Sequence, residues 1–101
     1  MGTRAENAVK VVFTYDVSVD NQKEYLQVTG EKIRPFWESH GCESYSVWQV
    51  TDNPTAFVKE MVFKDSKTME KSMALQEAKS VKELFHSFVK NVSRKICIQR
   101  V

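Results

Sequence analysis

The amino-acid sequence predicts an α+β fold in which four antiparallel strands form one sheet and two helical regions cover one of its faces. Apolar residues alternate in four short stretches and recur at helical spacing in two longer ones. These stretches follow one another in the order β-α-β-β-α-β. Because crossover connections are right-handed, this order gives the strand order 4-1-3-2 with both helical regions on the same face.

The hairpin at residues 43–63 is the clearest element of this prediction. A cluster of Thr, Asp, Asn and Pro at residues 51–55 separates two runs rich in aromatic and β-branched residues. A ladder that pairs Val50 with Ala56 and Trp48 with Val58 makes both faces apolar. One face then carries Val50, Trp48, Ala56, Val58 and Val62, and the other carries Tyr45, Val47, Phe57, Met61 and Phe63. A hairpin with one solvated face alternates apolar and polar residues. Both faces are therefore predicted to be covered, one by helices and the other by a partner or a ligand.

The first and last strands complete the predicted sheet. The first spans residues 8–17, with its odd-numbered positions facing the helices and a mixed face that contains Thr14 and Asp16. The last strand begins at Lys95. Polar groups on the mixed face of a central strand are placed to line a cavity, so this face contributes candidate site residues.

Helix signals lie in the two regions between the strands. Asp20 is predicted to cap the first helical region, which bends near Pro35 and ends just before Gly41. Asp65 is predicted to start the second region. The Ser-Val-Lys-Glu sequence at residues 80–83 matches a capping box, which predicts a break immediately before it.

Composition limits the classes of function. The 101 residues fit one domain, predicted at residues 8–101, preceded by a flexible polar N-terminus at residues 1–7. Fifteen basic and thirteen acidic side chains give a net charge of +2 without basic runs, which argues against a nucleic-acid partner. We find no apolar run of membrane-spanning length and no signal peptide, so a cytoplasmic protein is predicted.

Cysteine and histidine usage predicts neither a metal nor a cofactor. Cys42 and Cys97 are the only cysteines in the sequence, and the predicted strand order places them at opposite edges of the sheet. They are therefore expected to be free thiols. No His, Cys or carboxylate residues fall at metal-ligand spacing.

Three segments carry a resemblance to a known group of proteins. They are GCESYSVWQ at residues 41–49, DNP at residues 52–54 and FVKE at residues 57–60. Together they resemble the dimeric α/β-barrel superfamily of ferredoxin-like proteins, in the branch of antibiotic-biosynthesis and quinol monooxygenases, and the resemblance covers nearly the whole chain. It implies a homodimer in which two sheets pack face to face into a closed barrel, in agreement with the doubly apolar hairpin.

The resemblance also bears on activity. Monooxygenase-like members often carry a His early in the second helix, but residues 68–73 contain none. Haem-degrading members use a later His with an Asn on the first strand, for which His86 and Asp16 are the nearest positions here. The missing early His favours a non-catalytic, stress-associated homodimer that binds a small apolar or aromatic molecule. The alternatives are a cofactor-independent monooxygenase or isomerase-like enzyme for a small aromatic or quinoid substrate and, more distantly, a haem-binding or haem-degrading protein.

Candidate site residues follow from the residue pattern and from the resemblance. Glu60 and Asp16 are candidate general bases, because burial would raise the pKa of a carboxylate toward the useful range. The alternatives are a salt bridge to a lysine of the partner or exposure at a sheet edge for Glu60, and a loop-end carboxylate that helps to start the first helix for Asp16. Candidate ligand-binding residues are Thr14, Tyr45, Trp48 and His86, and candidate dimer-interface residues are Trp48, Val50, Val58 and Val62.

Overall fold

The computed structural model of the protein describes residues 7–101, so the predicted flexible N-terminus lies outside the described residues except for Asn7. Four antiparallel strands form one sheet in the order β2-β3-β1-β4. They are β1 (Val9–Asp16), β2 (Ser44–Gln49), β3 (Ala56–Phe63) and β4 (Lys90–Ile98). This is the predicted order 4-1-3-2 viewed from the other edge, so the α+β ferredoxin-like fold is confirmed.

The register of the central hairpin is also as predicted. Trp48 lies opposite Val58, and the Val50 amide donates to the Ala56 carbonyl at 2.9 Å. A slip of one residue would move every side chain to the other face. The alternation of large apolar residues along the two strands was therefore sufficient to predict this register.

The helical segments are joined into two regions. They are α1 (Gln22–Val28), α2 (Arg34–Glu38), α3 (Ser66–Met73) and α4 (Ala78–His86). A 3-10 turn at Val19–Asn21 precedes α1, and a π-helical turn at Thr29–Ile33 connects α1 to α2. The chain thus remains helical past Pro35, which sits in the first turn of α2, where its missing N–H costs least.

Gly41 ends this region in the way predicted for a terminal glycine. Its φ of 108° lies in the left-handed region that side chains disfavour. A Cβ at this position would approach the Thr68 methyl group to 3.2 Å. The turn lets the Cys42 amide donate to the Trp37 carbonyl at 3.0 Å, and this bond directs the chain into β2.

Of the three residues or motifs predicted to start helical segments, one is confirmed and two are wrong. Asp65 caps α3 as predicted, since its carboxylate accepts from the Thr68 amide at 2.7 Å. The prediction for Asp20 was wrong, because this residue lies inside the 3-10 turn and no side-chain cap bond is made there or at the start of α1. The capping-box prediction was also wrong, because α4 begins at Ala78, which is buried together with Val81 and Phe85.

The core lies between the sheet and the helices. Its buried apolar side chains include Val9, Val11 and Tyr15 from β1, Tyr45 from β2, Phe57, Met61 and Phe63 from β3, and Tyr25, Ile33, Trp37, Met69, Val81 and Phe85 from the helical regions. Burying each large apolar side chain contributes roughly 1.5–3 kcal/mol. The odd positions of β1 thus face the helices as predicted.

β4 begins five residues before its predicted start. Its first residues are exposed and, apart from Val92, polar, so they lack the alternation by which a strand is detected. The helices do not cover this edge strand, and Ile96 and Ile98 remain 49% and 48% exposed.

Candidate functional site

The structure divides the predicted site residues between the two faces of the sheet. We call the face away from the helices the open face and the other the helix face. The open face and its margin hold Thr14, Asp16, Trp48 and Glu60, whereas Tyr45 and His86 lie on the helix side. One cavity cannot contain both groups, because successive side chains on a strand point to opposite faces.

Glu60 forms an ion pair with a lysine of the neighbouring strand. Its carboxylate lies 3.5 Å from Lys10 Nζ, and both side chains are partly exposed. It also lies opposite Ser46, as predicted. Glu60 is thus the diagonal cross-strand neighbour of Lys10, and ion pairs in this arrangement stabilise a sheet modestly.

Asp16 connects the end of β1 to two other segments. One carboxylate oxygen accepts from Asn91 Nδ2 and the other from Thr55 Oγ1, each at 2.9 Å. The bond from Asn91, followed by that from Thr55, holds the pKa of Asp16 below its usual range. Asp16 therefore stays ionised and joins the hairpin loop to the start of β4.

The residues predicted for a dimer interface share the open face. Trp48 is 61% exposed and its indole N–H donates to Ser46 Oγ at 3.0 Å. Val50 is also exposed, and Val58 and Val62 are half-buried. The open face thus presents a partly exposed apolar surface.

Lys59 is a functional candidate that the sequence reasoning missed. It is a buried lysine on the helix face, 3% exposed. Its Nζ lies 3.5 Å from the ring centroid of Phe85 and 4.1 Å from that of Phe13, at distances typical of cation–π contacts. Among the described residues it forms no ion pair. Burial lowers the pKa of Lys59 to about 7, a shift that the nearby Cys42 partly opposes.

Lys59 lines a cavity of about 170 Å³ between the sheet and α4, which we call the Lys59 cavity. Its apolar lining consists of Phe13, Trp37, Met61, Met73, Val81 and Phe85, and its polar lining consists of Lys59, Lys82, His86 and Arg94. No carboxylate is found among these lining residues. The cavity thus combines aromatic walls with an excess of positive charge.

The sheet register positions two of these cations. Lys59 lies opposite Phe13 across β3 and β1, and Phe13 lies opposite Arg94 across β1 and β4. The three residues therefore form a row on the helix face with the Phe13 ring in the middle. From α4, Lys82 Nζ donates to the Met73 carbonyl at 2.5 Å, and the His86 ring meets Phe85 edge-on at 5.2 Å.

Tyr45 adjoins this site from β2. Its ring centroid lies 5.5 Å from Lys59 Nζ. Its buried hydroxyl has no hydrogen-bond partner within residues 7–101, and burial raises the pKa of Tyr45 above its usual range. Of the predicted ligand-binding residues, the structure thus brings Tyr45 and His86 near Lys59 and leaves Thr14 and Trp48 on the other face.

A simple signal could have identified Lys59. It lies between Phe57 and Met61 in a strand whose alternate residues face the core. With a period of two, the residue between them must share their orientation. Lysine is rarely fully buried without a partner, so its position marks a special environment.

Three further observations concern the rest of the described chain. A larger depression of about 360 Å³ lies beside the end of β4, but its lining of chain-end residues such as Val101 contains no buried charged group. Within residues 7–101, no three His, Cys, Asp or Glu side chains converge as metal ligands. None of the described helices is long and apolar enough to cross a membrane.

Comparison with known proteins gives matches only at the level of structure. No protein-family model and no curated protein matches the chain. A point mutant of SnoaB, described as a cofactor-independent oxygenase from Streptomyces nogalater, superposes with a TM-score of 0.83 at 14% identity over 94% of this chain and 95% of that one. A conserved protein from Methanosarcina mazei Go1 gives 0.78 at 20% identity over 94% and 95%.

A third structure extends the same pattern. A putative antibiotic biosynthesis monooxygenase from Caulobacter crescentus CB15 gives a TM-score of 0.80 at 10% identity over 95% of this chain and 92% of that one. Identities this low establish a shared fold and leave activity open. The chain therefore has the ferredoxin-like fold of the antibiotic biosynthesis monooxygenase-like proteins, the branch that the sequence resembles.

Proposed function

We propose that this protein is a homodimer that binds a small aromatic molecule with an acidic group in the Lys59 cavity of each protomer. The observation that carries the proposal is a buried amine without an ion-pair partner among the described residues, placed in a cavity with aromatic walls. A carboxylate, phenolate or enolate of the ligand would supply the missing negative charge.

The energetic argument starts from the cost of burying Lys59. An ammonium group removed from water without a partner is strongly disfavoured, which is why burial depresses the pKa of this lysine. An anion beside Nζ would offset that cost and raise the pKa again. Binding energy is thus available to an acidic ligand that a neutral ligand of the same shape cannot obtain.

The surroundings favour the same class of ligand. Lys82, His86 and Arg94 line the cavity with Lys59, and no carboxylate competes for them. The volume of about 170 Å³ is close to that of an engineered cavity of about 150 Å³ that binds benzene. The rings of Phe13 and Phe85 offer faces and edges to an aromatic ligand.

The homodimer is proposed from the open face. Trp48 projects from it, and Val58 and Val62 extend the apolar surface across β3. A second copy of the chain is the occupant that fits, because two equivalent sheet faces related by a two-fold axis bury the same groups reciprocally. The Lys10–Glu60 ion pair offers both charges to its equivalent on the other protomer.

A second candidate function is cofactor-independent oxygenation of a phenolic or quinol substrate. It is favoured by the similarity to SnoaB and by the pKa of Lys59 near 7, which lets the neutral amine accept a phenol proton. The resulting phenolate would be the species that donates electrons to oxygen. Glu60 and Asp16 remain the candidate bases if the substrate instead binds on the open face.

Oxygen uptake with a panel of hydroquinones and anthrones tests this second candidate. If the substrate reacts with oxygen in the Lys59 cavity, oxygen uptake is expected in the wild type and should be lost in Lys59→Met. Glu60→Gln changes the adjacent residue on the opposite face, so loss of uptake in that variant alone would place the reaction on the open face. No uptake by the wild type would reject the oxygenase and leave the binding function.

The binding function predicts a specific dependence of affinity on pH. Benzoate affinity is expected to be constant between about pH 5.5 and pH 7 and to fall up to tenfold per pH unit above the Lys59 pKa of about 7. The reason is that only protonated Lys59 attracts the carboxylate. Isothermal titration calorimetry from pH 5.5 to 9 measures this slope, and proton uptake on binding at pH 8 would accompany it.

Three controls identify the source of the pH dependence. The titratable or charged groups around Lys59 are Cys42, Tyr45, Lys82, His86 and Arg94. The His86→Gln variant shows whether His86 or Lys59 causes the pH dependence of affinity. Benzamide provides a neutral ligand of the same shape as benzoate. Lys59→Met is expected to lower benzoate affinity about tenfold or more, the loss of a hydrogen bond to a charged group, and to abolish the slope. Equal affinities for benzoate and benzamide would reject the proposal.

A further inference from the structure

We propose that Lys59 is also a covalent site, whose Nζ condenses with the carbonyl carbon of a small aromatic aldehyde held in the Lys59 cavity to form an imine. The site is defined by an amine that lines a cavity with aromatic walls and is flanked by the rings of Phe13 and Phe85. This inference uses the cavity of the proposed function but requires a different ligand chemistry.

The step is a condensation that needs no oxidant or reductant. The nitrogen lone pair forms a bond to the carbonyl carbon, the C=O π electrons move to oxygen, and a proton passes from nitrogen to that oxygen. The carbinolamine then loses its hydroxyl group with the second nitrogen proton as water, which leaves a C=N bond. The cavity adjoins Lys82 and His86, which can exchange these protons with solvent.

Lys59 differs from every other described lysine in its surroundings. It is the one lysine among residues 7–101 that is buried. Exposed lysines are almost wholly protonated at neutral pH and are poor nucleophiles, whereas a lysine desolvated in an apolar pocket is activated. Lys59 is only 3% exposed, and this limited access of water opposes hydrolysis of an imine once it has formed.

The aromatic walls position the aldehyde as well as the amine. Phe13 and Phe85 each lie close to Nζ, at 4.1 Å and 3.5 Å from ring centroid to nitrogen. A small aromatic aldehyde whose ring packed against either of them would place its carbonyl carbon near Nζ. Proximity of this kind raises the effective concentration of the reacting group. Aromatic aldehydes are thus preferred over aliphatic ones of similar reactivity.

The experiment traps the imine at a defined residue. The whole protein is incubated with benzaldehyde and cyanoborohydride at pH 7, digested, and mapped by mass spectrometry. Lys59 is expected to be benzylated about tenfold faster or more than the exposed Lys64, because its amine is neutral at a much lower pH. Prior unfolding in urea should remove this preference.

Matched variants make the result decisive. Lys59→Met should lose the fast labelling, whereas Lys64→Met, which removes an exposed lysine just after the same strand, should retain it. Circular dichroism verifies that each variant is folded. Labelling of Lys59 no faster than that of Lys64 in the folded wild type would overturn the inference.

Benzoate separates this inference from the proposed function. If benzoate binds in a Lys59-dependent manner and no fast labelling occurs, acid binding stands and the covalent site is rejected. If Lys59 is labelled quickly although benzoate does not bind, the covalent site stands and acid binding is rejected. Protection of Lys59 from labelling by benzoate, but not by benzamide, would support both.

Discussion

Lys59→Met is expected to stabilise the folded protein by roughly 3–4 kcal/mol below pH 7. Burial depresses the pKa of Lys59 from 10.5 to about 7, and each unit corresponds to about 1.4 kcal/mol of unfavourable charge burial. Loss of the cation–π contacts offsets part of that gain, about 0.5–2 kcal/mol. Methionine fills a similar volume without a charge. Urea denaturation at a series of pH values measures the difference.

The pH dependence gives this prediction a second readout. Between pH 7 and 10.5 the unfolded chain holds a proton on Lys59 that the folded protein has lost. The free energy of unfolding of the wild type therefore rises with pH across this window, and the advantage of Lys59→Met shrinks. Measurements should stop near pH 9, because the raised pKa values of Tyr15, Tyr25 and Tyr45 reduce stability at higher pH, where the unfolded chain ionises them.

Lys64→Met serves as the control, since Lys64 is exposed. It should change the free energy of unfolding by less than about 0.5 kcal/mol at every pH. A Lys59→Met variant that is less stable than the wild type throughout this range would show that Lys59 stabilises the fold. The energetic basis of the proposed anion site would then be lost.

Val58→Asp is expected to abolish the homodimer and to leave unfolded or aggregated chains. Val58 lies between Trp48 and Thr14 on the open face, in the centre of the proposed interface. An unpaired carboxylate buried there costs several kcal/mol, a large part of the roughly 5–15 kcal/mol that stabilises a small domain. Sedimentation velocity and thermal unfolding measure the two effects.

Val19→Asp is the matched control for this change. Val19 is 61% exposed, the same fraction as Trp48, but it lies in the 3-10 turn outside the sheet. Its substitution should leave sedimentation and stability close to those of the wild type. A folded monomer of the wild type at micromolar concentration would contradict the dimer, as would a Val58→Asp protein that sediments like the wild type.

The sheet could be predicted from the sequence because its signals reinforce one another. The pairing of Trp48 with Val58 followed from alternation on two strands joined by a recognisable turn. Gly41 and Asp65 mark helix ends by local chemistry that tertiary packing did not override. At the start of α4, however, packing overrode the local signal. Burial of Ala78 set the start of α4 despite the Ser80–Glu83 pattern.

The candidate site was less predictable for a physical reason. Candidate bases were sought among carboxylates, and Glu60 and Asp16 instead make an ion pair and two hydrogen bonds at the sheet surface. Lysine is ordinarily a solvated residue, so Lys59 was passed over although its strand position places it in the core. The distances from Nζ to the rings of Phe13 and Phe85 depend on how α4 packs on the sheet, which no local pattern specifies.

The neighbouring positions Lys59 and Glu60 show how β3 can evolve. One side chain faces the helices and the next faces the proposed partner, so mutations at odd and even positions are exposed to different selective pressures. If the proposed cavity and interface are correct, ligand preference can change through substitutions at Lys59 and Met61 while Val58 and Glu60 maintain the contact between protomers. New specificities could then arise on this strand without loss of the proposed dimer.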